Sequence, residues 1–115
     1  MGKRKDDEMN QVMLVGQVEG SYEIVYDKKE SERKLMKFLL KVQRPFKNRD
    51  GHYDNDLVNI KVWTNNIDDL DISLQDKAMI IVKGRVQSYR SNNYEDDIYY
   101  NEIIADKVTY LNSLN

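Results

Sequence analysis

The sequence contains no cysteine and a single histidine among its 115 residues. Disulfide frameworks and thiolate chemistry are thereby excluded, and structural zinc lacks ligands, because such sites are built from sets of cysteine and histidine. No apolar run approaches the roughly 20 residues that cross a bilayer as a helix. The amino terminus has no hydrophobic core of the secretory type, so a cytoplasmic protein without a membrane partner is expected. Gly2 does not mark N-myristoylation, since Asp6 stands where serine or threonine is required. Neither a glycine-rich phosphate loop nor a nucleophile elbow occurs. The lone His52, flanked by Gly51 and Tyr53, reads as a solvated turn residue rather than a general base. The stretch DGHYDND superficially suggests a calcium loop, but its glycine is misplaced and Lys61 occupies the position of the bidentate glutamate. No enzyme, metal site or cofactor is expected.

What the chain does contain is positive charge that its overall balance hides. The net charge is -2, yet from Arg33 to Lys61 eight basic residues (Arg33, Lys34, Lys37, Lys41, Arg44, Lys47, Arg49, Lys61) face three acidic ones (Asp50, Asp54, Asp56). Phe46 lies within this strip and the only tryptophan, Trp63, at its edge. A local field of this kind steers and holds polyanions whatever the total charge. The plainer alternative is a solvated loop-and-strand face.

The periodicity is that of an all-β domain, and 115 residues suffice for one continuous core. Residues 1–9 read as a flexible segment in which Lys3, Arg4 and Lys5 add a weak phosphate contact, and residues 10–112 as the domain. From Gln11, Val12, Leu14 and Val18 share one parity and Met13 and Val15 the other, the pattern of a strand buried on both sides. Met36, Phe38, Leu40 and Val42 alternate with Lys37, Leu39, Lys41 and Gln43. Asp50-Gly51 supplies a turn, and Val58, Ile60 and Val62 follow as the inward face of the returning strand. Ile67, Leu70 and Leu74 share one face of a short helix, with Asp68 and Asp69 as favourable charges in its first turn. Ala78, Ile80, Val82, Gly84 and Val86 form the next inward face, leaving Lys83, Arg85, Gln87 and Tyr89 outward. Ser91 to Asp97 reads as a polar loop, and Ile98 to Leu111 as the last strand region. Five strands with a short helix between the third and fourth is the element order of the Greek-key OB-fold barrel, although order alone does not separate it from an SH3-like barrel.

Three stretches, NQVMLVGQV (Asn10–Val18), FLLKVQRPF running into DLVNIKVW (Phe38–Trp63), and KGRVQSYR with EIIADKVTYL (Lys83–Leu111), resemble the bacterial single-stranded DNA-binding protein family in its opening strand, central strand pair and closing pattern. The resemblance implies an OB-fold that assembles as a homotetramer, with a dimer also possible. It further implies sequence-tolerant binding of single-stranded DNA by stacking and a basic groove, in support of replication, recombination or repair near the nucleoid. Carried over position by position, Phe46 and Trp63 keep aromatic rings and Arg90 a basic residue. Leu57 and Ser91 stand where aromatic residues are usual, and the second of these gaps, in the hairpin at Ser91, is one that Tyr89 or Tyr94 would fill by a small shift. The family's acidic, phenylalanine-tipped tail has no counterpart before Asn115, so tail-mediated recruitment of replication enzymes is not expected.

Parity supports the same surface independently. Leu57, Asn59, Lys61 and Trp63 share the side opposite Val58, Ile60 and Val62, which puts a large ring beside cations on the outside. The expected nucleic-acid-binding set is Lys37, Lys41, Arg44, Phe46, Lys47, Lys61, Trp63, Arg85, Tyr89, Arg90 and Tyr94. Two alternatives stay open. A primosomal-type interaction module with weak DNA binding would use Tyr89, Tyr94, Tyr99 and Tyr100 against protein, and structured RNA is the third candidate.

Overall fold

The computed structural model describes residues 9–28, 33–66, 68–91 and 98–111. Residues 1–8 of the flexible segment expected at 1–9, the Ile67 position, and residues 92–97 of the polar loop expected at 91–97, Tyr94 among them, lie outside the described residues. Five strands, β1 (Val12–Lys28), β2 (Arg33–Lys47), β3 (Tyr53–Thr64), β4 (Met79–Arg90) and β5 (Tyr99–Tyr110), close into a barrel in the order β1-β2-β3-β5-β4. Closure comes from a parallel β3–β5 pair, Ile60 opposite Ile103, while the other ladders are antiparallel. With α1 (Asp68–Asp71) between β3 and β4, this is the expected OB architecture.

The alternation places the core as expected. Met36, Leu40, Ile60, Ile80 and Val82 are fully buried, and Phe38 and Val62 nearly so. Each such side chain contributes roughly 1.5–3 kcal/mol on leaving water. The barrel interior therefore carries the stability, and the outer wall can change without unfolding it. Between β2 and β3, Gly51 takes the left-handed conformation (φ 81°), while the Asn48 side-chain oxygen accepts from the amides of Asp50 (2.9 Å) and His52 (3.0 Å).

Three elements differ from the sequence reading. β1 is buried on one side only: Met13 is 60% and Val15 50% exposed. One chain closes a single barrel, and nothing among the described residues forms a second layer over that face. Val86 is also exposed, because the β4–β5 ladder continues from Val86 opposite Ile103 to Arg90 opposite Tyr99 and leaves the core as an arm. The helix is one turn long, and its amino-terminal cap is Asn66, whose side-chain oxygen accepts from the Asp68 amide at 3.0 Å. Asp68 stands in the first turn as expected but does not cap it. Leu70 and Leu74 do share the inward face, Leu74 being fully buried.

β4 and β5 approach closely at Gly84, opposite Ala105 and beside a register shift. A Cβ there would collide with the Ile104 carbonyl oxygen and lie 3.0 Å from the Ala105 Cα.

Candidate nucleic-acid interface

Strand pairing turns the parity argument into a surface. On the outer wall Lys37 stands opposite Lys61, Lys61 opposite Ile104, and Ile104 opposite Arg85, so one row crosses β2, β3, β5 and β4. Beside it Leu35 pairs with Trp63, and on the other side Leu39 pairs with Asn59 and Lys41 with Leu57. Trp63 is 38% exposed and Leu57 57% exposed, and the Arg33 guanidinium lies 4.5 Å from the centre of the Trp63 ring. The indole points away from the core.

The same pairing brings acids that a local reading of β2 and β3 misses. Lys61 is held at 3.0 Å by Glu102, a pair whose side chains are only 21% and 9% exposed. Arg85 meets Asp106 at 3.1 Å in a far more open setting. Lys37 and Lys41, both half-buried, form no ion pair among the described residues. The cations are thus unequal. Two stand ready for a phosphate, while Arg85 must first leave a carboxylate and Lys61 is tied to a buried one.

Other expected site residues do not join this wall. Arg44 shares the parity of Val42, and Asp56 is Val42's partner, so both lie on the core side of the β2–β3 hairpin where it runs past the barrel. Arg44 donates to both carboxylate oxygens of Asp56, with the shortest contact 2.8 Å. That hydrogen bonding holds the Asp56 carboxyl below its usual range and raises the guanidinium further. The charged carboxylate therefore favours the folded chain above its ordinary pKa, and the gain is lost as pH falls through the lowered value. Arg44→Gln is expected to return the Asp56 midpoint upward toward the ordinary value in a carboxyl NMR titration; an unmoved midpoint would show that the fork does not persist in solution.

Phe46 is 67% exposed near the end of β2, not folded onto the barrel, and the Lys47 ammonium lies 5.9 Å from the Tyr53 ring. Arg90 falls on the side of the arm opposite Tyr89 by strand parity. Tyr89 itself is outward, with its ring 5.5 Å from that of Tyr100 at 27° and 5.6 Å from the Lys61 ammonium. Tyr100, Glu102, Asp106 and Arg33 are charged or aromatic residues at this wall that the expected set lacks. An explicit hairpin register would have found the first, since Tyr89 and Tyr100 are direct cross-strand partners.

The profile of the Single-strand binding protein family matches residues 9–111. The single-stranded DNA-binding protein B of Bacillus subtilis is 30% identical over 103 residues, covering 89% of each chain. A single-stranded DNA-binding protein of Streptococcus mutans is 29% identical over 106 residues; this chain spans 63% of that relative's length. Among solved structures, a Plasmodium falciparum SSB in complex with ssDNA superposes with a TM-score of 0.75 at 22% identity, covering 97% of this chain and 100% of that one. The dimeric amino-terminal domain of a PriB protein from Thermoanaerobacter tencongensis gives 0.63 at 17% identity, covering 90% and 98%. At these identities the structural likeness bears on the fold.

Proposed function

This chain belongs to the Single-strand binding protein family, and from that premise we propose that it binds single-stranded DNA across the outer wall of β2, β3, β4 and β5. The observation that carries the reading is the placement of Trp63, Lys37, Lys41 and Lys61 on one side of a wall whose other side is the buried core. Every base has a π-face, so the indole stacks without choosing a sequence, and Lys37 and Lys41 beside it release the counterions condensed on phosphates, while Lys61 stays on Glu102. The protein acts by binding and not by catalysis, in the cytoplasm on strands exposed during replication, recombination or repair. Among the described residues no helix is long and apolar enough to cross a membrane.

Self-association belongs to the same proposal. The exposed Met13 and Val15 stand opposite Lys83 and Ile81, forming an apolar strip that a second copy would cover, and a homotetramer built on a dimer accounts for the two-sided pattern of β1.

The test uses the sole tryptophan. Oligo-dT is expected to quench Trp63 fluorescence at low salt, with affinity falling steeply as salt rises; neither quenching nor gel retardation at low salt would refute the reading. A salt series then separates the cations. Lys41→Ala is expected to flatten the slope of log K against log salt by about 0.7, the loss of one phosphate contact on a single strand. Arg85→Ala should change it less, because Arg85 starts on Asp106. Equal changes would mean that the Arg85 pair does not hold in solution.

One observation favours a protein-interaction module as the second reading. On the far side of the β4–β5 arm Tyr99 is 61% exposed, with Val86 (39%) on the same parity. That surface would hold a partner independently of the wall.

A further inference from the structure

Ser91, at the end of the β4–β5 arm, carries no ring, and the aromatic residues described in this part of the molecule stand on the strands themselves. Tyr89 and Tyr100 are cross-strand partners on the wall side, 50% and 45% exposed, with ring centres 5.5 Å apart and planes 27° from parallel. The pair is assembled before any ligand arrives. Rings already held against each other lose little conformational freedom on binding, which is what a stacking surface requires.

The support beneath it is also built. Glu102, two residues after Tyr100 on the same face, is 9% exposed and pairs with the Lys61 ammonium at 3.0 Å. Removing the partner of so buried a carboxylate is costly, so Lys61 remains in place rather than passing to a phosphate. Its ammonium is thereby kept 5.6 Å from the centre of the Tyr89 ring. Tyr89 consequently has a cation and a second ring as neighbours, whereas the ring contact of Tyr100 is with Tyr89 alone among the described residues. Of the two, Tyr100 is the less encumbered.

We infer that Tyr89 and Tyr100 form a second stacking platform for an unpaired base, with Tyr100 the ring that meets it and with Tyr89, Lys61 and Glu102 as positioning residues. This rests on the single-stranded DNA reading and adds to Trp63 a contact at the β4–β5 end of the same wall. A strand spanning both is held at two points, with Lys37 and Lys41 on β2 available to phosphates along the other flank of β3.

The experiment compares Tyr100→Leu, Tyr100→Phe, Glu102→Gln and Trp63→Ala with the unaltered chain, using oligo-dT at low salt and thermal melts as the check on folding. Tyr100→Leu is expected to weaken binding roughly 5- to 150-fold, the loss of one base–ring stack, and Tyr100→Phe to stay within about twofold because the ring and not the hydroxyl is used. Glu102→Gln releases the Lys61 ammonium from its carboxylate, so the salt slope should steepen by about 0.7 as Lys61 becomes available to a phosphate; an unchanged slope would mean that Glu102 does not hold Lys61 in place beside Tyr89. An oligonucleotide carrying 5-iododeoxyuridine should crosslink to the Tyr100 peptide, and this reading stands even if Tyr100→Leu folds poorly. Should Tyr100→Leu bind like the unaltered chain and no crosslink reach Tyr100 while Trp63→Ala is impaired, the platform is overturned and the DNA reading survives. If the unaltered chain itself fails to bind, both fall.

Discussion

Trp63→Ala is expected to weaken oligo-dT binding by about 1–3 kcal/mol, roughly 5- to 150-fold, while leaving the barrel folded. The two halves of that expectation have separate physical origins. Binding falls because the indole supplies the largest π-face on the wall, and an alanine offers a base nothing to stack on. Folding survives because Trp63 has the parity of Leu57, Asn59 and Lys61, away from Ile60 and Val62, which are 0% and 6% exposed. The fold loses the contact with the Arg33 guanidinium, 4.5 Å from the ring centre, together with the packing of an indole that is 38% exposed. The cation contact is worth about 0.5–1 kcal/mol at an open site and the covered part of the ring adds to it, so melting should fall by several degrees and not by tens. Trp63→Phe should recover much of the affinity. A Trp63→Ala variant that melts tens of degrees lower would place the indole in the interior and remove the basis of the proposed site.

Gly84→Ala is expected to damage the barrel itself, at the upper end of the roughly 1–3 kcal/mol that overpacking costs, or beyond. A methyl group there meets the Ile104 carbonyl and the Ala105 Cα, which are backbone and cannot rotate aside. β5 would have to move away from β4, and with it Glu102, the anchor of Lys61, and Tyr100, the partner of Tyr89. Binding and stability should therefore decline together, as urea melts and oligo-dT titration on the same variant would reveal. Gly20→Ala is the informative comparison. Nothing lies within 4 Å of a Cβ at Gly20, but its φ of 79° imposes about 1–2 kcal/mol of local strain, without moving β5. A Gly84→Ala protein as stable as the parent would mean that the β4–β5 register is wrong.

The local features were legible because each depends on neighbours within a few residues. Alternation from Met36 to Val42 and from Val58 to Val62 names the core, the Asp50-Gly51 pair announces the hairpin, and the spacing of Leu70 and Leu74 finds the face of the single helical turn. The same alternation puts Trp63 outside. Where the reading faltered, the deciding partner was distant. Met13 and Val15 looked buried because an apolar residue signals that it needs cover, but not whether the cover belongs to the same chain. Val86 continued an inward pattern past the point where the barrel ends, and no local signal marks that point. The basic strip from Arg33 to Lys61 reads as a net positive balance, which does not say which cation meets which acid: Asp56 takes Arg44 across the hairpin and Glu102 takes Lys61 from outside the strip.

From its sequence alone this chain is a five-stranded barrel with a tryptophan and lysines on its outer side, since strand parity has a period of two and is written residue by residue. Only the closed barrel decides that Glu102 holds Lys61, that Asp106 holds Arg85, and that Lys37 and Lys41 are left without a carboxylate among the described residues. The reason is geometric: β5 enters between β3 and β4, so Glu102 reaches Lys61 across the parallel β3–β5 pair and Asp106 reaches Arg85 across the β4–β5 hairpin, partners on other strands that alternation along one strand does not name.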